Sequence, residues 1–174
     1  LDAARRELAE EGAAALSLRA VAREVGMVSS AIYRYFDNRD ALLTALIIDA
    51  YDSLGAAVEA AEARVPRSDL PGRWQTIAES VRSWALDNPS LYALVYGSPV
   101  PGYAAPADTI GPATRVTRLL AALIQDALRG DGIAAEAGRR VGDLSAEAVD
   151  GLAPLVEFMG PGTTEDRAVA GLMA

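Results

Sequence analysis

The 174-residue chain contains no cysteine, no histidine and no lysine. Without cysteine there are no disulfides and no thiol chemistry, and without histidine the commonest metal ligand and the commonest general base are missing. All basic charge is therefore arginine: 16 guanidinium groups stand against 24 carboxylates, a formal net charge of −8. A chain of that sign does not hold nucleic acid or anionic membrane through its overall charge, so any contact with DNA has to come from a local patch. No apolar run approaches the length of a membrane span and no basic-then-apolar leader opens the chain, which predicts a cytoplasmic protein with no membrane partner. The chain begins at Leu1 rather than Met and stops at Ala174 inside a helical pattern, so both ends read as cut and the last helices as incomplete. What is present is apolar residues at 51 %, enough for a buried core, with alanine, leucine and arginine dominant. β-branched runs are scarce, and there is no internal repeat, heptad series or sustained alternation. The expected fold is all-α.

LDAARRELAEEG places Leu1, Ala4 and Leu8 on one face of a short helix that ends at Gly12. Ser17 is a cap candidate for LRAVAREVG, whose inward face is Leu18, Val21, Ala22 and Val25, and Gly26 ends it. A three-residue turn, Gly26 to Val28, leads into SSAIYRYF. Two short helices joined by a tight glycine-containing turn, with a helix before them, describe either a helix-turn-helix or a plain helical hairpin. Asp37 or Asn38 can cap a long helix reaching about Arg64, with Leu43, Leu46, Ile47, Ala50, Leu54, Val58 and Ala61 as its apolar stripe.

Pro66 and Pro71 break the pattern between Val65 and Gly72. A helix through Trp74, Ile77, Val81 and Ala85 ends near Asn88-Pro89, and a shorter one runs through Tyr96. GSPVPGYAAPADTIGP reads as a long loop, because prolines at 99, 101, 106 and 112 exclude regular helix or central strand. Helix resumes with Val116, Leu119, Leu120, Leu123, Ile124 and Ala127; a glycine-rich stretch follows, then helices opening at Ser145 and at Thr163 or Thr164.

The run SLRAVAREVGMVSSAIYRYFDNRDALLTAL, Ser17 to Leu46, resembles the N-terminal DNA-binding domain of the TetR family of bacterial transcriptional regulators. The elements carrying the resemblance are Ser17, Val21-Ala22, Gly26, the block Ile32-Tyr33-Arg34-Tyr35-Phe36, Arg39 and Leu42-Leu43. A weaker likeness, WALDNPSLYALVYGSPVP, links Trp84 to Pro101 with the C-terminal half of one TetR subclass. The resemblance implies a three-helix DNA-binding domain over residues 1–45 and a helical effector-binding and dimerisation domain over 46–174, joined by the long helix. It also implies a homodimer on palindromic operator DNA, most often a repressor. The basic arm that often precedes the first helix of such proteins is absent from this sequence.

Chemistry supports the same residues. Ser29, Ser30 and Ala31, at the start of the second helix of the pair, and Arg19 are the candidates for base edges. A serine hydroxyl donates or accepts, an alanine methyl can meet a thymine methyl, and a guanidinium can grip guanine O6 and N7 together. Ser17, Tyr33, Arg34, Tyr35 and Arg39 are placed by the family motif as phosphate contacts or their supports. Ser17 to Arg39 carries four arginines (19, 23, 34 and 39) against Glu24 and Asp37, a local +2 on an acidic protein. Ile32, Phe36, Val21, Val25 and Leu42 are expected in the core, and Tyr35 is either a phosphate contact or a core residue with its hydroxyl at the rim.

Catalysis finds little support: no paired acids stand apart from ordinary charged helix faces, and no phosphate-cradling glycine loop follows a strand. No catalytic residue, metal site or cofactor is expected. The second half gathers Trp74, Trp84, Tyr92, Tyr96, Tyr103 and Phe158 with aliphatics such as Leu120 and Ile124. Such a set lines either a plain core or an effector pocket for a small hydrophobic or aromatic molecule. Two functions follow: a ligand-responsive repressor of a palindromic operator, or a helical ligand-binding or protein-interaction module with a degenerate DNA motif.

Overall fold

The computed structural model describes residues 1–129, and among these every regular element is helical. The expected helices opening at Ser145 and Thr163, and Phe158 of the expected pocket, lie outside the described residues. The elements are α1 (Asp2–Glu11), α2 (Leu18–Glu24), α3 (Ser29–Ile32), α4 (Arg39–Glu62), α5 (Leu70–Asp87), α6 (Pro89–Tyr96), α7 (Ile110–Ala113) and α8 (Arg115–Arg129).

Local chemistry sets most of the boundaries. Ser17 caps α2, its hydroxyl accepting from the Ala20 N–H at 3.4 Å. At the other end Gly26 takes φ +70°, with Gly26 N–H on the Arg23 carbonyl at 3.1 Å and Met27 N–H on the Ala22 carbonyl at 2.8 Å. This paired closure satisfies the last carbonyls of α2 and turns the chain sharply, and it needs the left-handed conformation that glycine adopts without strain. Asn38, not Asp37, caps α4, its Oδ1 accepting from the Ala41 N–H at 2.9 Å.

Three expectations are corrected. The helix expected over SSAIYRYF is one turn, Ser29–Ile32: beyond it Arg34 and Tyr35 bond back only three residues, to Ala31 and Ile32, a tighter winding that soon ends. α5 starts at Leu70, inside the expected break. Pro71 lies in its first turn, where a missing N–H costs nothing, and Asp69 caps it by accepting from the Gly72 N–H at 3.0 Å. The expected loop 97–112 stops short, as a 3-10 turn (Ala107–Thr109) runs into α7.

By packing, the described chain forms two compact units, Leu1–Val65 with Gln75–Val116, and Pro66–Trp74 with the part of α8 from Thr117. This partition differs from the boundary at residue 45, which is one of motif.

In the first unit α4 is the central helix, in contact with α1, α6, the 3-10 turn and α7. Leu42, Leu43, Leu46, Ala50, Leu54 and Val58 are fully buried along it. By length and composition α4 could cross a membrane, contrary to the expectation that no run approaches that length. Its apolar face is instead buried in the protein's own core, and Arg5 of α1 is paired with Asp49 at 2.5 Å. Along the second half of α4, Arg115 donates to Glu59 at 2.8 and 2.6 Å and to Asp52 at 2.9 Å. It lies across Gly55, where a Cβ would come within 2.6–2.9 Å of Arg115 atoms. The Arg115 hydrogen bonds hold the Glu59 carboxyl below the usual carboxylate range.

In the second unit Arg73 is fully buried and donates to Asp126 at 2.8 Å, and Arg67 donates to the same oxygen at 2.6 Å.

Candidate nucleic-acid interface

α1, α2 and α3 enclose a small interior of Ala4, Leu8, Leu18, Val21, Ala22 and Ile32, closed by Leu42 of α4. Two corrections concern this interior. Val25, the last residue before the Gly26 turn, is 51 % exposed and lines a groove, and Phe36 is only half-buried.

Outside this interior the expected contact residues separate by exposure. Arg19, Ser29, Ser30, Tyr33, Arg34 and Tyr35 are exposed, Tyr35 to 71 %, so the rim-of-core alternative for Tyr35 does not describe it. Ala31 and Ser17 are half-buried; Ser17 accepts its cap bond and keeps its hydroxyl hydrogen for another acceptor. Among the described residues neither Arg19 nor Arg34 makes an ion pair or side-chain hydrogen bond. Arg6 of α1 pairs with Glu24, offsetting one of the two acids in this stretch.

Arg39 is placed differently. Its Nη2 donates to the Ala13 carbonyl at 2.7 Å and the Ala14 carbonyl at 3.0 Å, so it braces the chain after α1 against the start of α4. Any phosphate contact is left to its other nitrogens.

The expected effector residues among those described are divided between the two units. Tyr92 and Tyr96 of α6 are neighbours, centroids 5.1 Å apart, and Tyr96 meets Tyr51 of α4 edge-on at 6.0 Å. Burial pushes the Tyr51 and Tyr96 phenols up, and the neighbouring phenols add to the rise at Tyr96. Trp84 is buried with its indole N–H on Ser53 at 2.9 Å, and the Tyr103 hydroxyl bonds Thr44 at 2.9 Å. Trp74, Leu120 and Ile124 belong to the second unit, with Trp74 and Ile124 exposed. A groove of about 570 Å³ opens elsewhere, between α1, α2 and α3, lined by Leu1, Val25, Met27, Tyr35 and Phe36 among others.

Sequence reasoning missed Tyr51, although its place between Ile47 and Leu54 put it near the apolar stripe of α4. It also missed Val28, which stands at the α3 cap position and is 71 % exposed.

The geometry can be set beside known proteins. The chain is 54 % identical over 113 residues to the HTH-type transcriptional regulator Rv1816 of Mycobacterium tuberculosis H37Rv, and equally to Mb1846 of Mycobacterium bovis; the match takes in 64 % of this chain. It spans about half, 48 %, of the length of those curated relatives. Among solved structures the regulatory protein SCO4313 is 33 % identical with a TM-score of 0.63, over 99 % of this chain and 90 % of that one. PfmR, a TetR family transcriptional regulator from Thermus thermophilus, has a TM-score of 0.60 at 21 % identity, over 97 % and 92 % of the two chains, a likeness of fold alone. The family model for bacterial regulatory proteins of the tetR family matches residues 1–46, and that for the tetracyclin repressor-like C-terminal domain matches 74–172. Since the second match alone takes in more than half of its residues, the chain belongs to the tetR family of bacterial regulatory proteins.

Proposed function

We propose that the protein is a DNA-binding transcriptional regulator that acts as a homodimer on a palindromic operator, a repressor released by a small hydrophobic or aromatic effector. The observation that carries the DNA reading is the outer face of the helix-turn-helix. Arg19 and Arg34 are exposed and uncommitted beside the exposed hydroxyls of Ser29, Ser30 and Tyr33, on a chain of net charge −8. Among the described residues Arg19 and Arg34, like Arg23 on α2, have no internal partner where a phosphate backbone and guanine edges would accept them. The Tyr51, Tyr92 and Tyr96 group supports an aromatic-binding effector site, since edge-on rings offer apolar surface with a few polar tips.

The test is footprinting and gel shift with the DNA upstream of the protein's own gene, repeated with a panel of hydrophobic and aromatic compounds. Protection of two half-sites, relieved by a compound, is the expected result, with affinity falling steeply as salt is added. Absence of any protected palindrome favours the helical ligand-binding or interaction module instead.

A further inference from the structure

Val28, immediately before Ser29 on the candidate DNA-binding face, is a branched apolar side chain left 71 % exposed. Its carbonyl accepts the first bond of α3, from the Ala31 N–H at 2.8 Å, at φ −64° and ψ 140°. Serine, threonine, asparagine and aspartate are favoured at such a position because their side chains cap the helix. Valine is among the poorest choices, and no side-chain cap bond is made here. A serine there would cap the helix and remove an apolar group from water, so valine is unfavourable on both counts within the folded protein. Lone exposed valines are ordinary on protein surfaces. This one stands next to the exposed hydroxyls of Ser29 and Ser30, and, unlike Val25, it does not line the apolar groove.

A partner surface that offsets the loss must offer an apolar group among hydrogen-bonding ones. In the major groove the C5 methyl of thymine is that group. Ala31, the residue the sequence offers for a thymine methyl, is half-buried, whereas Val28 is open.

We propose that Val28 is a specificity-determining residue whose isopropyl group packs against a thymine methyl in each operator half-site; this rests on the DNA-binding reading above. The expected signature is that binding discrimination and protein stability move in opposite directions when Val28 is replaced by serine.

The experiment selects duplexes from a randomised DNA pool with the wild-type chain, then replaces each thymine in turn with deoxyuridine, which lacks only the methyl. Affinities are measured for wild type, Val28→Ala and Val28→Ser, with thermal melts alongside. In wild type, one thymine per half-site should lose about fourfold in affinity on demethylation, the size of one buried methyl group. Val28→Ala, which keeps one methyl, should show a smaller penalty than wild type, and Val28→Ser should show none while melting at or above the wild-type temperature. Unchanged deoxyuridine penalties in both variants, or none at any position in wild type, overturn the assignment. If wild type enriches no sequence at all, the DNA-binding reading fails, and the Val28 assignment with it.

Discussion

Two sets of arginines in this protein have opposite surroundings. On the flank of α4, Arg115 meets Glu59 and Asp52 and lies in the space left by Gly55. On the outer face of the helix-turn-helix, Arg19 and Arg34 have no such partner among the described residues. Both sets carry the same group, whose planar fork suits carboxylate and phosphate equally well. What separates them is whether the fold itself supplies the anion. Where it does, the arginine should act on stability; where it does not, on binding.

The interior beneath the free arginines is the place to break this contrast most severely. Ile32→Ala empties a position that is 3 % exposed, and should cost about 2–5 kcal/mol in denaturant unfolding, abolishing DNA binding by loss of the head rather than of a contact. Next in size, Arg19→Ala should lose about 1–3 kcal/mol of operator affinity and relax the preference at one base pair. Arg34→Ala should weaken all sequences alike and lower the slope of affinity against salt by about one. Melting temperatures within a degree or so of wild type for both would sharpen the comparison; a large fall would show that these arginines support the fold.

Gly55→Ala tests the engaged set. Alanine is the better helix former by roughly 0.5–1 kcal/mol, yet its methyl group collides with Arg115, so the variant should lose about 1 kcal/mol. In an Arg115→Ala background the same substitution should cost less, because the Nε and Cδ contacts are gone while the Cβ at 2.9 Å remains, and a double-mutant cycle measures the difference.

The smallest effect is that of pH. The Glu59 carboxyl titrates below its ordinary value in the folded protein, because Arg115 hydrogen-bonds its charged form. Its contribution to stability is therefore complete above the unfolded carboxylate pKa of about 4.3 and is lost as pH falls through the lower, folded value. For a partly exposed pair this is under about 1 kcal/mol, and it should vanish from acid unfolding curves of Glu59→Gln.

What the sequence made legible was what short-range chemistry decides. Ser17 as a cap, a cap at Asp37 or Asn38, Gly26 at the turn, and Ile32 and Leu42 facing inward all follow from residues within one or two helical turns. The rest needed partners far along the chain. Arg39 reads as a phosphate donor until its bonds to the carbonyls of Ala13 and Ala14 are seen, and those lie 26 and 25 residues away. Nothing near Gly55 in the sequence points to Arg115, 60 residues on, which lies over it. The aromatic residues of the second half looked like one group by composition, but helix positions carry Trp74 and Trp84 into different units.

The two braces on α4 also have a mechanical meaning. Arg39 ties its first residue to the chain after α1, and Glu59, twenty positions on, is tied to Arg115. At 1.5 Å per residue those anchor points are about 30 Å apart along a stiff rod. A tilt of about 5° at the Glu59 end then sweeps the Asn38 end through about 3 Å, the length of one hydrogen bond. Leu42 and Leu43 are fully buried near that end, so such a sweep cannot occur without carrying along the residues packed on them.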